Sequence, residues 1–165
     1  MTRQDFEHHL QTLQEEMLAF GIMVETAISR STEALVNRNL TLAKQVIQDD
    51  LKINQKRYDI EEKCIELIAM QQPLARDLRV IIAVLNIIVD LERIGDHAEG
   101  NAKIAIMIGN EPPLKPYIDV PLMAEKTIEM LRRALDAFKQ RDAEAARKVI
   151  GDDDIVDNLY DQVFR

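Results

Sequence analysis

The chain is poor in several residue types. Its 165 residues include one cysteine (Cys64), no tryptophan, five glycines, five prolines and only 4% aromatics. A single thiol forbids an intramolecular disulfide and fits a reducing, cytoplasmic setting. So few glycines, prolines and aromatics argue against all-β folds, which need turn residues and strand formers. Long apolar runs are missing as well. The longest, Val80–Val89, contains Asn86 and is too short to cross a bilayer. The opening MTRQDFEHHLQ has no apolar signal region. Positive charge is scarce, with 21 Lys+Arg against 29 Asp+Glu and a net charge of −8, which disfavours nucleic acid as a partner. These absences exclude a secreted disulfide scaffold, an integral membrane protein and a basic nucleic-acid binder.

What is present is helical periodicity. Apolar residues make up 47% of the chain, enough for a sizeable core. Phe6, Leu10, Leu13, Met17, Phe20, Val24, Ala27, Ser31 and Ala34 alternate spacings of three and four, a stripe of period 3.5. Asn37–Asn39 offers a break, and a second helix is expected over about Thr41–Met70. Pro73 permits a turn, and a third helix runs from about Leu74 to Ile108, where Gly109 ends it. Four of the prolines fall in GNEPPLKPYIDVP, the one clear linker. Ile128, Leu131, Leu135 and Phe138 then mark a fourth helix; Ala146, Val149, Val156, Tyr160 and Phe164 mark a fifth.

The chain also repeats itself. A shift of 103 residues places Glu33–Ile53 on Asp136–Val156 without a gap. Seven of the 21 pairs are identical: Ala34/Ala137, Arg38/Arg141, Ala43/Ala146, Val46/Val149, Ile47/Ile150, Asp49/Asp152 and Asp50/Asp153. The expected fold class is therefore all-α, with tandem three-helix bundles of which the second is incomplete. Residues 1–109 would form the first bundle, 110–121 the Pro-rich linker, and 122–165 two helices of the second. The same shift would put that bundle's third helix beyond Arg165. Apolar stripes at Leu131, Leu135, Phe138, Val149 and Phe164 would then be exposed and favour a homo-oligomer.

Carboxylates sit where a core is expected. On the third helix Leu74, Leu78, Ile81, Leu85 and Ile88 follow one face at 100° per residue, and that face continues into Glu92, Asp96, Glu99 and Lys103. On the second helix Asp50, Asn54, Arg57 and Glu61 share the sector of Val46, Ile53, Ile60, Cys64 and Ile68. Folding the two helices back at about residue 72 sets Asp50 and Asn54 against Glu92 and Asp96. Asp153 and Asp157 repeat the spacing in the second copy. Converging carboxylates need cations, protons or strong hydrogen bonds, and oxygen-rich clusters suit Mg, Ca, Mn or iron. Pairing with Arg57, Arg79 or Arg93 is the plainer alternative. None of His8, His9 and His97 has Glu three positions before it, which argues against a ferritin-like di-iron oxidase. His97 reads as a surface residue, Cys64 as a buried structural thiol, and Met17, Met70 and Met107 as core filler. No catalytic constellation stands out.

Three segments carry a family resemblance. LARDLRVIIAVLNIIVDLERIGDHAEGNAK (Leu74–Lys103) closely resembles the third-helix signature of PhoU proteins, in which ERIGDHAEGNA is the most specific part. VNRNLTLAKQVIQDDLKIN resembles their second-helix signature, and KQRDAEAARKVIGDDDIVDNLYDQVFR its second copy. The resemblance implies a non-catalytic regulator of phosphate uptake and phosphate-starvation signalling. It implies docking on the phosphate ABC transporter's ATPase and on a phosphate sensor histidine kinase, with membranes reached only through those partners. It also implies metal motifs at Asp50–Asn54, Glu92–Asp96 and Asp153–Asp157 for an iron or zinc cluster; Glu99 joins the candidate ligands by its place on the same face of the third helix, and Mg or Mn by the oxygen donors. Asn54 departs from the family's acidic pattern and removes one anionic ligand. A metal-binding helical protein with hydrolase or storage activity and a metal-free helical adaptor are the rival readings.

Overall fold

The computed structural model describes residues 3–73 and 75–163. Among them the chain forms five helices: α1 (Arg3–Asn37), α2 (Leu40–Gln71), α3 (Ala75–Ile108), α4 (Asp119–Gln140) and α5 (Ala143–Val163). Leu74 and Phe164, which the sequence reading used as stripe positions, lie outside the described residues. No described helix is long and apolar enough to cross a membrane.

Intrinsic propensity contributes little to these helices; most of their stability comes from packing an apolar face. At 35 residues α1 is about 50 Å long. Its buried positions Phe6, Leu10, Leu13, Met17, Phe20, Val24, Ser31 and Ala34 keep the period of 3.5 throughout. On α2 the buried or half-buried line is Ala43, Val46, Asp50, Ile53, Arg57, Ile60, Cys64 and Leu67, the same heptad spacing. On α3 it is Ile81, Val84, Ile88, Leu91, Gly95, Ala98, Ala102 and Ala105. Three such stripes turned inward make the first bundle.

The α3 stripe differs from the sequence reading. Stepping at 100° per residue leads from Ile88 to Glu92, Asp96 and Glu99, whereas the buried line runs through Leu91, Gly95, Ala98 and Ala102. The reason is the mismatch between 3.6 and 3.5 residues per turn, which drifts by about 20° per heptad. The acidic residues flank the seam, and the seam itself narrows from Ile, Val and Leu to Gly and Ala.

The turns show the repeat in physical detail. Arg38 closes α1 at φ 56 and Arg141 closes α4 at φ 57. Asn39 N–H donates to Ala34 O at 3.0 Å, as Asp142 N–H does to Ala137 O at 2.9 Å. The Asn39 side chain accepts from Leu42 N–H at 3.0 Å and that of Asp142 from Ala145 N–H at 2.9 Å, so each following helix has a side-chain cap. Arg30 pairs with Asp49 at 2.7 Å, and Arg133 pairs with Asp152 at the equivalent positions.

The hairpin of α4 and α5 docks on α1. Leu135 fits against Gly21, where an added Cβ would stand 2.2 Å from Leu135 Cδ1. Arg132 Nε donates to the buried Glu25 at 2.7 Å. This corrects the expectation of exposed stripes. Leu135 and Val149 are buried, Leu131 and Phe138 are half-buried, and Ile128, Leu131 and Phe138 pack on the first bundle's core. The stripe that a third helix of the second copy was expected to need is met in part by α1. Met17 is buried, but Met70 and Met107 are 59% and 84% exposed near helix ends and fill no core.

Truncating Leu135 to alanine empties the knob that seats α4 on α1. Leu135→Ala is expected to cost about 2 kcal/mol or more in denaturant unfolding, against no measurable change for the exposed Lys148→Ala. Equal midpoints for the two variants would contradict this packing.

Candidate functional site

Gly95 sets the geometry of the acidic seam. A Cβ there would lie 2.9 Å from Ile53 Cγ2, 3.3 Å from Ile53 Cδ1 and 3.8 Å from Asp50 Oδ1. Only glycine lets α2 and α3 approach this closely, and the approach brings Asp50 to the level of Gly95. Asp50 is 8% exposed on a seam position of α2. Its Oδ2 accepts a hydrogen bond from Asn54 Nδ2 at 3.0 Å, while its Oδ1 is buried without a partner. Asn54 therefore serves as a hydrogen-bond donor to the carboxylate rather than as a second anion.

Glu92 and Glu99 are half-buried along the flank of α3, and Asp96 is exposed beside them. Desolvation, then the charges of Glu99 and Asp96, and more weakly Glu92, push the Asp50 carboxyl above the usual carboxylate range; the Asn54 hydrogen bond opposes them in part. The arginines that could have neutralised Asp50 are engaged elsewhere or make no ion pair with it. Arg57 pairs with Glu61 at 3.2 Å and stacks over Tyr58, and Arg93 pairs with Asp90 at 3.5 Å. Glu99 finds Lys103 at 2.7 Å. Asp153 and Asp157 lie exposed on α5, which packs on α4 and not on α2 or α3. They are not brought to the seam. His97 is exposed, and burial followed by the charge of Glu61 pushes the Cys64 thiol up to about 12, which makes it inert.

A metal implied by the family resemblance can be tested against these groups. The donor chemistry fits: an orphaned, desolvated carboxylate oxygen faces three further carboxylates with no cation on it. The convergence is incomplete, because among the described residues no three His, Cys, Asp or Glu side chains meet the spacing an ion requires.

Sequence reasoning missed the Arg30–Asp49 and Arg133–Asp152 pairs. The signal was there, since Arg30 maps onto Arg133 three residues before the aligned block. It also missed the lysine clamp in which Lys56 and Lys63 hold Glu16 at 3.1 and 2.5 Å across α1 and α2.

Fold and seam together define an all-α bundle with an internal repeat and one buried, unpaired carboxylate, Asp50, flanked by the acidic residues of α3. The PhoU domain family model matches residues 18–105 and 120–165. The chain is 44% identical to the phosphate-specific transport system accessory protein PhoU homolog of Aquifex aeolicus, over 94% of this chain and 71% of that protein. It is 32% identical to the PhoU accessory protein of Escherichia coli, over 97% of this chain and 66% of that one. The crystal structure of PhoU from Pseudomonas aeruginosa superposes with a TM-score of 0.89 at 36% identity, covering 97% of this chain and 77% of that chain. PhoU from Streptococcus pneumoniae does so at 0.87 and 30%, covering 94% and 73%. The chain belongs to the PhoU family.

Neutralising Asp50 tests the electrostatics. An acid whose folded pKa is raised binds its proton more tightly when folded, so it withdraws stability as pH rises from its ordinary value through the raised one. Asp50→Asn, in chelator-containing buffer, is expected to gain about 1 kcal/mol at neutral pH, with the gain shrinking as pH falls toward 4. A pH-independent difference, or a loss at pH 7, would contradict the assignment.

Proposed function

We propose that the chain is a non-catalytic regulator of phosphate uptake that holds down the phosphate-starvation response when phosphate is plentiful. It acts in the cytoplasm by docking on the phosphate transporter's ATPase and on the sensor histidine kinase that reads phosphate. Family membership carries this reading, since relatives alike over nearly the whole chain are named accessory proteins of the phosphate-specific transport system.

In the same reading, Asp50, Glu92, Asp96 and Glu99 would have to close from the wider spacing they have here to hold a divalent or iron cation, which would supply positive charge at Asp50. Asp50 contributes the buried oxygen and Asn54 orients it; Glu99 would exchange Lys103 for the ion. Zinc and iron suit the site, and manganese or magnesium match its oxygen donors. Asp153 and Asp157 would be half of a second site, with the remaining ligands supplied from elsewhere. Self-association would rest on the exposed Ile150 and Ile155 of α5 rather than on the covered stripe of α4.

The regulatory reading is checked in cells. Deleting the gene should raise phosphate-responsive reporter expression several-fold in phosphate-rich medium, and supplying this chain should restore repression. An unchanged reporter in the deletion strain would overturn it.

A further inference from the structure

Most arginines of this chain are occupied. Seven of them (Arg3, Arg30, Arg57, Arg93, Arg132, Arg133 and Arg147) form ion pairs. Arg38 donates to Tyr117. Among the described residues the side chains of three arginines make no ion pair or hydrogen bond: Arg76, Arg79 and Arg141. All three line one cleft of about 420 Å³. The cleft lies between the start of α3 and the α4–α5 turn, where α4 rests on α1 and not on α3. One carboxylate borders it, Asp142, whose Oδ1 already caps α5 through Ala145 N–H at 2.9 Å. Asp77, next to Arg76 in sequence, is held by Arg3 at 3.4 Å.

The repeat shows what one of these arginines is free to do. Arg38 and Arg141 occupy equivalent turn positions with the same left-handed backbone, φ 56 and 57. That position favours glycine, yet both copies place a guanidinium there. In the first copy the interdomain segment covers it: Arg38 donates to Tyr117 Oη at 2.8 Å and lies 5.2 Å from the centre of that ring. In the second copy no described residue takes that place, and Arg141 lines the cleft with Arg76 and Arg79.

Three guanidiniums without a protein partner in one concavity suit an oxyanion, because each planar fork can grip two oxygens. The chain carries a net charge of −8, so a free cationic cluster on it stands out as a local feature. Apart from Gln14, whose amide donates to Leu10 O, the rest of the wall is apolar, with Val80, Ala83, Ala134 and Phe138. We infer that this cleft binds a phosphorylated small molecule, with its phosphates on Arg76, Arg79 and Arg141 and its uncharged part against Val80 and Phe138. The inference rests on the arginines and the repeat and does not depend on the regulatory reading.

The test is calorimetric titration of the full chain with pyrophosphate and, separately, with ADP at about 0.15 M salt, near physiological ionic strength. Binding in the sub-millimolar range is expected for at least one of them. Arg79→Ala and Arg141→Ala should each weaken it tenfold or more, Arg141→Lys should not restore it, and Lys148→Ala should leave it unchanged. ADP binding tighter than pyrophosphate would support a nucleotide seated on the apolar wall, and equal affinities would support free polyphosphate. Absence of binding to both at millimolar concentration would overturn the inference, as would equal weakening by Lys148→Ala. The arginines are exposed, so the variants are expected to fold, and unchanged circular dichroism checks this.

Discussion

Asp50 occupies a position on the α2 seam where the heptad calls for an apolar side chain, and Gly95 brings α3 against it. That single contact constrains the rest of the first bundle. A charge at a seam position lowers stability and fixes register, because sliding either helix would bury the carboxylate against a larger neighbour. The small residues further along α3 (Ala102 and Ala105) keep the helices close where Ala34 and Ala43 meet them. Closeness is what makes the carboxylates of α3 felt at Asp50, so packing and electrostatics are here one feature.

The second copy reuses the same local devices for a different end. Its left-handed arginine, its capped helix start and its cross-helix ion pair match the first copy residue by residue. What surrounds them differs. In the first copy α3 completes the core, and the segment after α3 covers Arg38. In the second, α1 supplies a surface for Leu135, and Arg141 is left facing outward.

Much of this was legible beforehand because helix periodicity and capping are local. The ends of α2 and α3, the break at Arg38 and Asn39, and the level at which Asp50 meets α3 all follow from nearby residues. Three things were not. The drift between 3.5 and 3.6 residues per turn misplaced Glu92, Asp96 and Glu99 onto the seam when they flank it. The burial of Leu135 depends on Gly21, more than a hundred residues away, and no local pattern announces that pairing. The cleft is a matter of which arginines lack partners, which requires every other pair to be known. The isolation of Asp153 and Asp157 from the seam likewise depends on where α5 docks.

The account stands on the seam being short of positive charge. Glu16 shows the alternative within the same bundle: its burial is more than offset by two lysines, and its carboxyl is held below the ordinary range. Asp50 has no such clamp. Elemental analysis of the chain purified without chelators, beside Asp50→Asn/Glu99→Gln, tests this most directly. The account predicts about one or more equivalents of metal in the wild type and background levels in the variant. Background levels in both, with the wild type unchanged in stability by added zinc, iron or manganese, would contradict it.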